Sequence, residues 1–187
     1  MLSDTIWWTR KSRIQAAERL LANDFHTQLI LVWYSTFSVG ASIYFLKFAP
    51  ESELATVSMV IYSVMILSMS LFMSGRNFKE RGMLMKQCYE QLDLLYRQAK
   101  AAEKKPDVKE LRRISEEYQS VVNSSENHRE IDFIVSTFKL RMAGEQINKQ
   151  LTWYHYARAT SHFVFRASYL ILFYALPLVI LGAITCI

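Results

Sequence analysis

The sequence contains few of the residues that interrupt or cross-link regular structure. Its 187 residues include five Gly, three Pro and two Cys. The scarcity of Gly and Pro disfavours long flexible linkers and all-β architectures, which need many turns. Cys88 and Cys186 lie far apart and match no metal-binding or redox spacing, so we expect no disulfide framework and interpret both as ordinary small apolar residues. These absences favour a predominantly helical chain.

Charge is absent from three long runs of the sequence, Thr27–Leu46, Leu54–Gly75 and Ala167–Ile187. Each run has about 20 residues, which is enough for a helix to cross a hydrocarbon core of about 30 Å and too long for a strand of a membrane barrel. The residues before the first run are too many and too polar to be the leader of a cleaved signal sequence, so we interpret that run as a retained helix. We therefore predict an all-α membrane protein with three spans.

The charged residues divide the chain into four parts, because almost all of them lie in Met1–His26 and Arg76–Arg166. We predict an N-terminal amphipathic cytosolic helix over residues 1–26 and a transmembrane hairpin over residues 27–75. A helical cytosolic lobe is expected over residues 76–161, and a third, C-terminal transmembrane helix over residues 162–187.

Basic residues flank the first two runs at their outer ends. Four precede the first run and four follow the second: Arg10, Lys11, Arg13, Arg19, Arg76, Lys79, Arg81 and Lys86. The segment between the runs has only Lys47 against Glu51 and Glu53, and its Ala-Pro-Glu-Ser sequence around Pro50 is typical of a tight turn. Since Lys and Arg stay on the cytoplasmic side, we expect the N-terminus inside and the C-terminus outside. This asymmetry and anionic lipid account for the net charge of +5, so direct nucleic-acid binding is not expected.

Apolar residues recur at helical spacing in the charged parts of the chain. In the leader the stripe is Trp7, Ile14, Ala17, Leu21 and Phe25, and it could lie on the inner leaflet or dock on the lobe. After the second run a heptad-like seam follows, formed by Phe78, Met85, Cys88, Leu92, Leu95 and Ala99. It predicts that the second span continues into the cytosol as one long helix, which Lys104-Lys105-Pro106-Asp107 ends.

Two more helices are predicted in the lobe. The first carries Val108, Leu111, Ile114, Tyr118 and Val122, and Asn123 is expected to cap the next, with Glu126 three residues on. That next helix has Ile131, Val135, Phe138 and Met142 on one face and is predicted to run through Trp153 into the third span. We expect its apolar face to pack against Phe78, Met85 and Leu92.

Hydroxyl residues form stripes in the first two spans: Ser35, Ser38 and Ser42, and then Ser63 and Ser70. They could allow close helix packing, or they could line a water-filled pathway. A lining role requires a homo-oligomer, because three helices cannot enclose a wide pore. No ionisable residue lies deep in any span, which argues against a proton-coupled pump or a voltage sensor.

Little in the sequence indicates catalysis. No nucleophile elbow, phosphate-binding loop or metal motif is present, so we expect no enzyme activity, no catalytic or metal-binding residues and no cofactor. The densest polar cluster is Glu126, Asn127, His128, Arg129 and Asp132. It could be structural, or it could sense a ligand at the distal end of the lobe.

The segment Tyr118–Phe133, with Glu126-Asn127-His128 and Asp132-Phe133, resembles the Y…ENH…D(Y/F) segment of SLATT domains. These are bacterial membrane effectors with a transmembrane hairpin and helical cytosolic extensions. The resemblance covers most of Arg10–Arg141, and the third span fits the subtype with an additional C-terminal membrane helix. It implies a pore-forming or membrane-disrupting effector of antiphage defence, controlled by a nucleotide second messenger or a defence-system partner protein. The alternative is a non-conducting membrane adaptor that recruits a partner through its cytosolic helices.

Overall fold

The computed structural model describes residues 1–48, 53–105, 107–145, 147 and 151–185. Its elements are all helices: α1 (Leu2–Phe48), α2 (Glu53–Ser74), α3 (Phe78–Lys104), α4 (Val108–Asn123), α5 (Glu130–Met142) and α6 (Trp153–Thr185). The described ranges contain no strand, and the predicted all-α class is confirmed. The chain forms two compact units: unit 1 is Met1–Ala22 with Phe78–His162, and unit 2 is Asn23–Asn77 with Phe163–Ile187.

Three helices are long and apolar enough to cross a membrane, as the uncharged runs predict. The core of unit 2 is built around Ile30, Tyr34 and Tyr62, which are at most 5% exposed. In the second and third apolar stretches only 6% of the residues are buried within the chain. Most of this apolar surface therefore faces outward, as lipid contact requires. The predicted turn at Pro50 and the second cysteine, Cys186, lie outside the described residues.

The leader is the first part of α1, which runs without interruption for 47 residues. In unit 1 it packs on protein, because Ala16, Ala17 and Leu20 form a buried cluster with Met85 of α3. Of the two positions left open by the sequence, docking on the lobe is the observed one. The predicted stripe is shifted, since Phe25 is 62% exposed while Ile6, outside the stripe, is fully buried.

Helix α3 buries the predicted seam from Met85 to Ala99 along one face. The prediction that it continues the second span without a break is wrong. The chain turns at Gly75–Asn77, where Asn77 has a φ of +46°. This left-handed conformation ends α2, because a helix cannot propagate through it. Helix α3 then ends at Lys104, and Pro106 lies outside the described residues.

The two later helices of unit 1 begin and end differently from the prediction. Asn123 is the last residue of α4 and caps no following helix, since α5 starts only at Glu130. Helix α5 does not run on to Trp153, because it ends at Met142 before Gly144, whose φ is +77°. The start of α4 is capped by Asp107, whose Oδ1 accepts from the backbone N–H groups of the first turn.

The packing inside unit 1 also differs from the prediction. Helix α3 packs along α4, and Leu92 joins Ile6 of α1 and Ile114 of α4 in one buried cluster. The predicted burial of Phe78, Met85 and Leu92 against the apolar face of α5 is therefore wrong. Helix α5 instead contacts α1, and its buried face runs through Ile134, Val135 and Leu140 while Met142 is exposed.

Candidate functional site

Asp132, at the start of α5, lies at the centre of a buried polar network. Its carboxylate accepts hydrogen bonds from Arg19 Nε at 2.7 Å and Arg19 Nη2 at 3.0 Å. It also accepts the backbone N–H of Arg129 at 2.9 Å, which fixes the first turn of α5. The side chain is 2% exposed. All these bonds hold the chain to itself, so Asp132 connects α5 to α1 and is not available to a ligand.

Glu126 makes a second ion pair, with Arg81 near the start of α3. The Arg81 guanidinium donates to both carboxylate oxygens, at 2.7 and 2.9 Å from Nη2. Arg81 and Glu126 are both partly exposed. This bidentate geometry connects the segment between α4 and α5 to α3.

The cluster does not lie at the distal end of the lobe. Its partners Arg19 and Arg81 are close in sequence to Ala22 and Phe78, where the chain leaves and re-enters unit 1. The ion pairs of Asp132 and Glu126 therefore lie near two of the three points where the chain passes between unit 1 and unit 2. The prediction that the cluster lies at the distal end of the lobe is therefore wrong. The contact between Arg19 and Asp132 joins residues more than 100 positions apart in the sequence.

Arg13 is a member of the network that sequence reasoning missed. Its side chain is fully buried. Nη1 donates to Cys88 Sγ at 3.0 Å and to Ser125 Oγ, and Nη2 donates to the Val122 carbonyl at 2.9 Å. Among the described residues no carboxylate pairs with this guanidinium. One sequence feature could have indicated its burial: Arg13 stands midway between Ile6 and Leu20 at heptad spacing, on the buried face of α1.

Tyr118 and His128 are the other members of the sequence pattern with defined surroundings. The Tyr118 hydroxyl lies 2.9 Å from Thr9 Oγ1, which joins α4 to α1. His128 is half-buried, and its Nδ1 is shielded from solvent without a hydrogen-bond partner within the described ranges. Burial lowers the pKa of His128, and the nearby positive charge of Arg13 lowers it further, against the opposing effect of Asp132. The imidazole is therefore neutral at neutral pH. Asn127 is exposed.

A cleft of about 760 Å³ opens beside His128 in unit 1. Its walls combine aromatic rings with hydroxyl groups: Met1, Asp4, Thr5, Trp7, Trp8, Thr9, Ser12, Tyr96, His128, Phe133 and Ile147. Trp8 lies against Phe133 with the ring centroids 5.5 Å apart. A planar group could stack on these aromatic rings. The cleft residues from α1 were not predicted as a site, because their aromatic stripe resembles ordinary core packing.

The hydroxyl residues of the spans take a separate position, in unit 2. Ser35, Ser42 and Ser63 are exposed and donate to the carbonyl four residues earlier in their own helices, at 2.8 to 2.9 Å. Ser42 also lies 3.6 Å from Met59 Sδ of α2. Ser38 and Ser70 are half-buried. The lining role of these residues stays a prediction, since it depends on further copies of the chain.

Comparison with known families gives one match over nearly the whole chain. The family model of the SMODS and SLOG-associating 2TM effector domain, family 5, matches residues 1–183. The match includes α1 to α5 and most of α6. No curated protein and no solved structure is significantly similar to the chain.

Proposed function

The chain belongs to the SMODS and SLOG-associating 2TM effector domain family, the SLATT family, and from this premise we propose that it is a pore-forming or membrane-disrupting effector of bacterial antiphage defence. Membership implies a role in prokaryotic conflict systems. In the proposal, several copies assemble in the inner membrane, and a nucleotide second messenger or a defence-system partner protein acting on unit 1 controls them.

The observation that carries the proposal is the outward-facing surface of unit 2. One chain buries only 6% of its second and third apolar stretches, so lipid or further copies must cover the remainder. Exposed hydroxyls at Ser35, Ser42 and Ser63 interrupt this apolar surface. Their hydroxyl hydrogens are bonded within their own helices, and the remaining lone pairs are free to meet water or a neighbouring copy.

Unit 1 supplies a place where a signal could act. The cleft beside His128 has aromatic walls, and the Glu126–Arg81 ion pair lies close in sequence to the start of α3. A ligand or partner can shift an equilibrium only if it binds two states unequally. The segment from Glu126 to Asp132 contacts both α1 and α3, so a change in that segment alters both sets of contacts.

Membrane depolarisation tests the proposal directly. After induced expression with the genes of its defence system, a potential-sensitive dye should report loss of the inner-membrane potential. Ser63→Leu should reduce this loss, whereas the control Ser68→Leu should not. Ser68 is also exposed and also donates to the carbonyl four residues earlier, but it lies outside the predicted pore-lining face. If every trigger leaves the potential and viability intact, the adaptor function is the correct one. If both variants behave alike, Ser63 does not line the pathway.

Substitutions in unit 1 separate signal reception from folding. His128→Ala and Asn127→Ala should remove toxicity while membrane accumulation and assembly stay normal. Lys139→Ala is the matched surface control, because Lys139 forms an exposed ion pair with Glu18. If the His128 and Asn127 variants fail to accumulate or assemble, the cluster is structural and carries no signal.

The proposed orientation has its own test. In a background without Cys88 and Cys186, a cysteine at the exposed position Lys100 should be protected from an impermeant reagent in intact cells. Labelling of this cysteine from outside would show that unit 1 lies outside the cell and that the proposed orientation is wrong.

A further inference from the structure

Pro177 lies inside α6, in the part of the helix that belongs to unit 2. Proline has no N–H, so the carbonyl four residues earlier, that of Phe173, loses its helical donor. In a bilayer such a carbonyl cannot turn to water, and leaving it without a partner is costly. The Pro177 side chain is fully buried, so water is also excluded by packing.

Two side chains of α1 donate at this point of α6. The Tyr34 hydroxyl donates to the Phe173 carbonyl at 2.8 Å, and Trp33 Nε1 donates to the next carbonyl, that of Tyr174, at 3.1 Å. Tyr34 is 5% exposed. The bond that the proline removes from α6 is therefore replaced from α1.

Tyr62 of α2 provides a contrast within the same cluster. Its ring stacks on Tyr34 with centroids 6.1 Å apart, and it is equally buried. Its hydroxyl, however, has no hydrogen-bond partner among the residues that the structure describes. Tyr62 is therefore a suitable control, because its hydroxyl does not bond to the Phe173 carbonyl.

We propose that Trp33 and Tyr34 form a polar latch on the proline site of α6, that the latched arrangement is the resting state of unit 2, and that its release accompanies activation. Interhelical hydrogen bonds in membranes are weak on average, so this contact can be exchanged where the Phe173 carbonyl gains water or another donor in its place. Release leaves the Phe173 carbonyl oxygen without a donor, so that it can bind water or a cation. The part of this inference that concerns activation rests on the proposed pore function.

A double-mutant cycle on the full-length protein in detergent tests whether the latch exists. Tyr34→Phe leaves the Phe173 carbonyl without a donor and, in a chain of this size, should lower the thermal midpoint by roughly 2–12 °C. Pro177→Ala restores the amide donor of α6, so the same Tyr34→Phe change should then lower the midpoint by less than half as much. The control Tyr62→Phe should shift the midpoint little in either background. Equal Tyr34→Phe shifts with and without Pro177 would overturn the latch.

Depolarisation without a trigger tests the resting-state assignment. Tyr34→Phe and Trp33→Phe should depolarise the membrane in the absence of the defence-system signal, and Tyr62→Phe should not. Suppose that the double-mutant cycle shows coupling between Tyr34 and Pro177 and that the triggered wild type conducts. If Tyr34→Phe still needs the trigger, the latch is only structural and the inference is wrong. If no form of the protein ever conducts, the proposed function and the activation part both fail, while the coupling still decides whether the latch exists.

Discussion

Replacing Asp132 by Asn removes one charge of a buried ion pair while preserving the size of the side chain. The Arg19 guanidinium would then remain in a site where it is 10% exposed and its carboxylate partner is gone. Removal of one member of such a pair costs about 3–5 kcal/mol, because the other charge is left desolvated. For a chain of this size the loss corresponds to a fall in the thermal midpoint of roughly 6–20 °C.

The matched control is Lys139→Ala, which breaks the exposed ion pair with Glu18. That pair has a similar separation of 2.9 Å, but its side chains are 50% and 56% exposed. Solvent screening limits its contribution to about 0–1 kcal/mol. The two substitutions therefore compare ion pairs of similar length that differ chiefly in burial.

Thermal unfolding of the full-length protein in detergent, followed by far-UV circular dichroism, gives both midpoints. A double variant, Arg19→Met with Asp132→Leu, should recover much of the lost stability, since it leaves no unpaired charge. If Asp132→Asn unfolds at the same temperature as Lys139→Ala, burial does not decide the strength of this contact and the reasoning fails. If the double variant is no more stable than Asp132→Asn, the loss has a cause other than the uncompensated charge.

Two further predictions concern unit 1. The pKa of His128 is lowered below its usual 6.5, so the unfolded state binds a proton at a higher pH than the folded state does. The free energy of unfolding should therefore fall as pH drops below about 6.5. Denaturation midpoints measured between pH 8 and pH 5 should show this fall, and His128→Gln should reduce it. Gly82→Val should destabilise the protein by about 1–3 kcal/mol, because a Cβ there would lie 2.9 Å from Leu21 Cδ2. Gly40 has open space around it, so Gly40→Val should cost less than about 1 kcal/mol in the same unfolding assay. Equal losses at both glycines would contradict the close approach at Gly82.

The sequence predicted those parts of the fold that depend on local periodicity. The seam from Met85 to Ala99 was found because its members recur at gaps of three and four, and the same residues are buried in α3. The three spans were found because the absence of charge over a membrane length is a property of one continuous segment. The cap at Asp107 was not predicted, although it too is local, two and three residues from its donors.

The candidate site could not be predicted in the same way, because its contacts cross long stretches of sequence. Arg13 and Arg19 were interpreted only as basic residues that keep the leader on the cytoplasmic side, since an arginine in isolation is most often exposed. Their burial depends on Ser125 and Asp132, which lie more than 100 residues later. The left-handed residue Asn77 was missed because helix-forming sequence stands on both sides of it.

The basic residues of the leader have partners that lie far downstream in the chain. Arg10 pairs with Asp93 at 3.0 Å, Lys11 lies 4.0 Å from Glu145, Arg13 donates to Val122, and Arg19 pairs with Asp132. During synthesis none of these partners exists when the first apolar run enters the bilayer, so all four charges are solvated at that moment. In the proposed orientation they hold the leader inside as free charges and later become interior contacts of unit 1. The same four side chains would thus act once in membrane insertion and again in folding.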